Sequence, residues 1–487
     1  MILIRKEYDT MEKLYNVSEF ADLVNVKVKT LQKWDRDGVL KANRTPTNRR
    51  YYTHSQYLNF IGSDELSEGI SQIGKEGKRM SLMQELDAGD KKGLFKSNDE
   101  FVNYSTGILP LDYANGFWLK VEDENGLRMV PITGIIGGTF VSVIGSTGSG
   151  KSTFADQMGY SIIKPFEDGM LFHIDCELTN LKERMVQITG TDPRDDRLRL
   201  KKDQIYIEDV LDMFNKICEV KENSGNLYKY EVEDRTFDGK KFLAYVPTVF
   251  VIDSLPSFNS KENRTDENLG SNMDAARAAK DIERFFNNCL GRMMKYNITI
   301  ITINHIKPKV IADPYNQPPK GLMMLKPSET VSRGYAAQYY SQNYFRIDTM
   351  KSNMYKKEDV GFNGYKASIQ IAKTKTAFIG STVDACFNGD IGFDPVFSLF
   401  EFAKSIGITE GRNPYLYLTG LSEFKFSRKD FRAKFLGEAA FRQAFLGGLT
   451  PHLEALLGSK EITEQDKVQY GDLMKANEDQ MKEDDVN

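Results

Sequence analysis

The stretch "VSVIGSTGSGKSTFADQM", Val141–Met158, sets Val141, Val143 and Ile144 against a run of Gly and Ser that closes in Lys151-Ser152-Thr153. Gly145-Ser146-Thr147-Gly148-Ser149-Gly150-Lys151-Ser152 satisfies G-x-x-x-x-G-K-[ST] at every fixed position, between a predicted strand and a predicted helix. The glycines let successive backbone N–H groups turn inward around phosphate oxygens, and the helix N-terminus behind them adds a favourable dipole. Lys151 is placed to reach the β- and γ-phosphates and Ser152 to hold Mg²⁺, with Thr153 completing the cradle; ATP and Mg²⁺ are the expected cofactors.

Outward from this loop, Phe140–Ile144, Met170–Ile174, Val249–Ile252 and Ile298–Ile303 are nearly continuous apolar runs separated by helical patterns. Such runs predict an α/β fold with a parallel central sheet covered on both faces. "TVFVIDSL" ends one strand in Asp253, a second expected Mg²⁺ ligand beside Ser152. "LFHIDCEL" ends another in Asp175 and Glu177, and the position favours Glu177 as the base that orients and polarises an attacking water.

The chain has 487 residues, 40 % hydrophobic and 28 % charged, which suits two or three soluble domains. No window approaches the roughly 18 consecutive apolar residues of a membrane span, and the start reads as no signal peptide. The four cysteines, 176, 218, 289 and 386, lack metal-ligand spacing with the four histidines, and a reducing cytoplasm is the expected location. Charge is uneven although the net is −4: residues 1–62 carry 11 Lys/Arg against 7 Asp/Glu, and residues 459–487 carry 4 against 9. A basic front and an acidic tail follow.

In the front, "NVSEFADLVNVKVKTLQKWDRDGVL" reads as two short helices around a turn, with Ser18 as N-cap and Val17, Phe20, Ala21, Leu23 and Leu31 at core spacing. This is a helix-turn-helix pattern, a small helical oligomerisation module being the alternative. The segment resembles the MerR-type winged helix-turn-helix: "KTLQKWDRDGVL", Arg44, Thr45, Arg49, Arg50 and Tyr51 stand where that family has its recognition helix and basic wing. The expected organisation is a DNA-binding domain over 1–62, a linker with a short helix over 63–100, an ATPase core over 101–408, a small α+β lobe over 409–460 and an acidic tail over 461–487.

A second resemblance covers 101–408. "YSTGILPLDYANGF" before the glycine loop, then "HIDCE", "VIDSLPSF", "ITINHIK" and "IAKTKTAF", stand in the order of the RecA recombinase family. "ENLGSNMDAARAAKDIERF" is similar to that family's first DNA-binding loop and following helix. The resemblance implies Lys151 and Ser152 on phosphate and Mg²⁺, Glu177 as catalytic base and Asp253 on the metal shell. It also implies that Lys373 and Lys375 reach the ATP of a neighbouring protomer in a filament or ring. His305 stands where the family commonly has a γ-phosphate-sensing Gln, and an imidazole there makes coupling depend on pH.

The polar, proline-rich 306–333 takes the place of the family's second DNA-binding loop. There Lys307, Lys309, Lys320, Lys326 and Arg333 would neutralise phosphates, and Met323 or Met324 would wedge between bases. Arg277 and Lys280 are further backbone contacts, and Lys29, Lys33, Arg36, Arg49 and Arg50 are the front domain's contacts to duplex DNA. The implied function is an ATP-dependent recombinase that forms filaments on single-stranded DNA, pairs it with a homologous duplex and promotes strand exchange. A RecA-fold motor or switch, such as a helicase or a replication or partition ATPase, and an ATP-controlled transcription regulator remain open as alternatives.

Overall fold

A computed structural model describes residues 14–57 apart from 25, 46 and 55, and residues 99–460 apart from 263–271, 309–324, 327 and 332–334; at 272–275, 335 and 350–353 only the backbone is described. The chain divides into two units, Met1–Asn98 and Asp99–Asn487. Of the linker expected over 63–100, residues 63–98 lie outside the described residues, as does the acidic tail expected over 461–487.

In the first unit, helices Val17–Leu23 and Val28–Asp37 pack on a three-stranded antiparallel sheet in the order Leu14–Asn16, Arg50–Thr53, Asn43–Arg44. The first helix is capped two residues earlier than the sequence suggests. Asn16, not Ser18, accepts from the backbone N–H groups of Ser18 (2.9 Å) and Glu19 (3.0 Å), while Glu19 accepts from Asn16 N–H at 2.9 Å. This reciprocal box satisfies donors that a Ser18 cap would leave inside the helix. Gly38, at φ +78°, ends the second helix in the left-handed region. The core is Tyr15, Phe20, Ala21, Leu31, Trp34, Leu40 and Tyr52, with Phe20 stacked on Tyr52 at 4.4 Å between centroids. Val17 is only partly buried, and Leu23, the last helical residue, is exposed, so both lie at the margin of the expected core.

The second unit is built on one large sheet. Its strand order is Leu198–Lys201, Met170–Asp175, Thr248–Asp253, Ile298–Pro308, Phe140–Gly145, Asn343–Tyr355, Gly364–Lys373, Thr382–Asn388 and Gly392–Asp394, and Glu329–Val331 pairs with the end of Ile298–Pro308. The first six run parallel. The last three are antiparallel to their neighbours, so the sheet is mixed and the wholly parallel expectation is corrected. The cause is connection length. The helices Lys151–Ile163, Ile207–Asn223 and Asn272–Tyr296 return the chain for parallel pairing, whereas the short links after Tyr355, Lys373 and Asn388 allow only antiparallel pairing.

Alternate residues of the central strands feed two cores. Val141, Val143, Val249, Val251, Ile301 and Ile303 meet Phe154 and Met158 on one face. Phe140, Ile144, Phe250, Ile252, Ile298 and Ile300 meet Phe285 and Phe286 on the other. Burial on both faces is why these strands are apolar without alternation. A third, aromatic cluster joins Phe397 and Phe400 of helix Pro395–Ser405 to Phe426, Phe431, Phe441 and Phe445. The hairpin Thr409–Arg412/Tyr415–Leu418 and the helices Phe431–Gly437 and Ala439–Ala455 follow that helix. Among the described residues no helix is long and apolar enough to cross a membrane.

Candidate functional site

The parallel register brings the ends of four strands to one edge: Asp253 lies opposite Asp175, and His305 opposite Gly145. In open α/β sheets, ligands bind outside this carboxyl edge. The Gly145–Ser152 loop leaves its strand there and enters helix Lys151–Ile163 through Gly150 at φ +87°. A Cβ on Gly150 would stand 2.9 Å from the Tyr365 hydroxyl, and one on Gly145 would stand 2.5 Å from the Ile347 carbonyl oxygen. Glycine is therefore demanded by backbone conformation at 150 and by close approach at 145. Ser146, Thr147 and Gly148 are exposed, while Ser149 is buried with no partner for its hydroxyl among the described residues.

Three of the singled-out side chains meet beside the loop. Ser152 donates to Asp253 Oδ2 at 2.5 Å. Lys151 is buried and donates to the Ser146 carbonyl at 2.7 Å. Burial holds its ammonium below the ordinary lysine value, against the pull of Asp253 and Glu177. Burial likewise pushes the Asp253 carboxyl up, opposed by His173, Ser152 and Asn180.

The two carboxylates of "HIDCEL" have separate places. Asp175 is fully buried, and its oxygens accept the backbone N–H groups of Glu177 (3.2 Å) and Asn180 (2.7 Å), so it shapes the turn after the strand. Glu177 stands on that turn, partly exposed, accepting from Ser254 Oγ at 2.5 Å and lying 3.2 Å from His305 Nε2. His305 is thus joined to Glu177 within one chain. The Asp253–Ser254 peptide that carries two of these groups is cis.

Beneath the edge lie groups that sequence reading missed. His173 is fully buried, 2.6 Å from Asp156 through Nδ1 and 3.2 Å from the Asn180 amide through Nε2, and Asn180 also reaches Asp253 at 3.3 Å. Burial opposes the imidazolium, but Asp156, Asp253 and Asp175 outweigh it and the pKa is raised. The only hint was the alternation of "LFHID", which turns His173 and Asp175 to the same side of the strand. Among the described residues no cluster of His, Cys, Asp and Glu forms a ready-made metal cage.

Lys373 lies elsewhere in its own network, donating to the carbonyls of Gln338 and, at 2.9 Å, Tyr339. Burial and the neighbouring Lys375 both push its pKa down. Lys375 is exposed, as are Tyr339 and Phe378. Arg277, Lys280, Lys307 and Lys326 are also at the surface. Lys309, Lys320, Met323, Met324 and Arg333 lie outside the described residues, as does 263–271 of the expected first loop.

In the first unit, Lys29, Lys33 and Arg36 recur at i, i+4 and i+7 on helix Val28–Asp37 and are exposed together, and Arg49 is exposed on the turn. Arg50, expected as a contact to duplex DNA, is partly buried and ion-paired within the domain. Its guanidinium lies 2.5 Å from Asp35, which also takes Arg44 at 2.9 Å and the Ala42 N–H at 3.0 Å. The Arg50 bond leads the causes that hold the Asp35 carboxyl below its usual value, despite desolvation. These bonds tie the two-stranded ribbon to the second helix.

Compared with known families, residues 16–52 match the family described as MerR family regulatory protein. Among curated proteins, none matches the chain. The match spans both helices and the ribbon to Tyr52, so a MerR-type DNA-binding domain stands at the front of the chain.

Proposed function

We propose that the MerR-type domain at 16–52 addresses to duplex DNA an ATP-dependent DNA recombinase of the RecA type. The observation that carries the reading is the convergence, on one sheet edge, of the Gly145–Ser152 loop, the Ser152–Asp253 pair and a Glu177 held by Ser254 and His305. The residues suit a nucleotide with Mg²⁺. The loop leaves the Ser149 hydroxyl buried without a partner among the described residues, and hydroxyl, carboxylate and ammonium stand together as hard-ion and phosphate ligands.

In this reading the loop N–H groups and the Lys151 ammonium bind the phosphates, and Ser152 and Asp253 hold the metal. Mg²⁺, when bound there, would supply charge neutralisation on the phosphates. Glu177 orients the attacking water and accepts its proton. Ser254 fixes the carboxylate, and His305, 3.2 Å away on the strand that leads into 306–333, is the link from Glu177 to the proposed single-strand loop. Lys373 and Lys375 complete the site of an adjacent protomer in a filament or ring.

The test is electron microscopy of the full chain with single-stranded DNA, Mg²⁺ and a slowly hydrolysed ATP analogue, with Lys151→Ala as control. Helical filaments that need both ligands and vanish in the variant are expected. Closed rings, or no assembly on single strands, would refute the recombinase and favour the motor or switch. The family match itself favours one further reading, an ATP-controlled regulator. That reading requires tight duplex binding and hydrolysis indifferent to single strands.

A further inference from the structure

Met170 and Thr248 begin the strands that Asp175 and Asp253 end, so the start of these strands faces away from the candidate site. At that start lies a cavity of about 390 Å³ whose apolar wall includes Met170, Phe172, Ile217 and Val220. Lys221, from the last turn of helix Ile207–Asn223, also lines it. Although 96 % buried, Lys221 forms no ion pair among the described residues; its Nζ donates to the carbonyls of Val246 and Tyr296, both at 2.8 Å.

That geometry accommodates the uncharged form. An ammonium has three N–H donors and an amine two. Two carbonyls satisfy the amine completely and leave the third ammonium proton without an acceptor among the described residues. Burial pushes the group down to about 7, with only the Cys218 thiol on the same helix acting against it. The charged groups around the cavity, Glu167, Asp168 and Asp196 against Arg197 and Lys216, are of both signs and supply no dedicated counter-ion.

We propose that Lys221 is a nucleophilic amine in the cavity wall and a site of acylation by small apolar activated acyl esters, thioesters included. The nitrogen lone pair attacks the acyl carbon, a C–N bond forms, and the ester C–O or C–S bond breaks. One amine proton leaves with the alcohol or thiol. The amide keeps one N–H for one of the two carbonyls, and its acyl chain occupies the apolar cavity. No redox partner is required, and the step is independent of the nucleotide site.

The experiment treats the full chain with limiting p-nitrophenyl acetate between pH 6 and 10 and follows each lysine by peptide mass spectrometry. At pH 7 the uncharged fraction of Lys221 is about one half, against roughly 0.0004 for an ordinary lysine. Even after the lower intrinsic nucleophilicity of a weaker base, Lys221 is expected to react at least about tenfold faster than Lys216 in the same helix, whose side chain is 68 % exposed. Its rate levels off above pH 8 while that of Lys216 keeps rising, and the preference disappears in urea. An unmodified Lys221 beside a labelled Lys216, a rate without a plateau, or a preference that persists in urea would each overturn the proposal.

Discussion

Replacing Lys221 by Met converts the buried amine into a measurable slope. The side chain falls from an ordinary 10.5 to about 7 in the fold because it is desolvated. Between these values the unfolded chain holds a proton that the folded one lacks, so stability rises with pH there. The contribution is full above about 10.5 and is lost as pH falls through about 7. At about 1.36 kcal/mol per pH unit, the whole span amounts to about 5 kcal/mol. Methionine has no such dependence. It also removes the donors to Val246 and Tyr296, an offset of about 1–3 kcal/mol for each carbonyl that stays dry, but this offset does not vary with pH. The informative quantity is therefore the difference between parent and variant in urea unfolding, followed by circular dichroism at fixed salt from pH 6 to 10. The parent should gain about 1.4 kcal/mol per pH unit relative to Lys221→Met above pH 7. A flat difference would refute a neutral buried amine, whatever its sign.

Other perturbations separate the two units and the roles inside the site. Under the proposed function, Glu177→Gln keeps the bond from Ser254 but removes the proposed base, so the proposed ATP hydrolysis should fall by about 10²–10⁴ while nucleotide binding, measured by calorimetry, is retained. Asp35→Asn releases Arg44 and Arg50 from their shared carboxylate and should lower the stability of the DNA-binding unit by roughly 2 kcal/mol, read as a drop in its thermal midpoint. Asp112 is buried and pushed up to about 6 by desolvation, against the pull of its bonds from Ser105 and Thr106. Its folded form holds the proton longer than the unfolded chain, so its contribution to stability falls as pH rises from about 4 to 6, and an Asp112→Asn variant should lose that trend in urea titrations.

The glycine loop was legible because left-handed backbone at Gly150 and a helix that starts at Lys151 are local requirements, although the close approach of Gly145 to Ile347 is not. The apolar strands were legible for the same reason, within one or two residues at most ends, although Ile298–Pro308 runs five residues beyond its apolar part. Direction was not legible, since residues such as Ile369 and Ile371 are buried whichever way the neighbouring strand points. Position favoured Glu177 over Asp175, but the turn-shaping place of Asp175 was not legible, because it is set by backbone N–H groups two and five residues on. His173, Asn180 and Ser254 join the site through pairing of strands some 80 residues apart in sequence, which no local pattern encodes. The pairing of Arg50 with Asp35 was not legible because charge counting ignores a carboxylate fifteen residues away.

The clasp that Asp35 places on Arg44 and Arg50 also changes what the front domain displaces from DNA. Each phosphate neutralised by a protein cation frees condensed counterions, and the logarithm of affinity falls with that of salt by about 0.9 per contact. Six basic side chains, Lys29, Lys33, Arg36, Arg44, Arg49 and Arg50, would give a slope near −5.4 by that rule. Two of them share one internal carboxylate, which offsets one charge, so a net of five would remain and the slope would fall to about −4.5 for each domain bound. The ribbon's arginines thus serve shape before charge, and the grip on duplex DNA weakens less steeply as ionic strength rises.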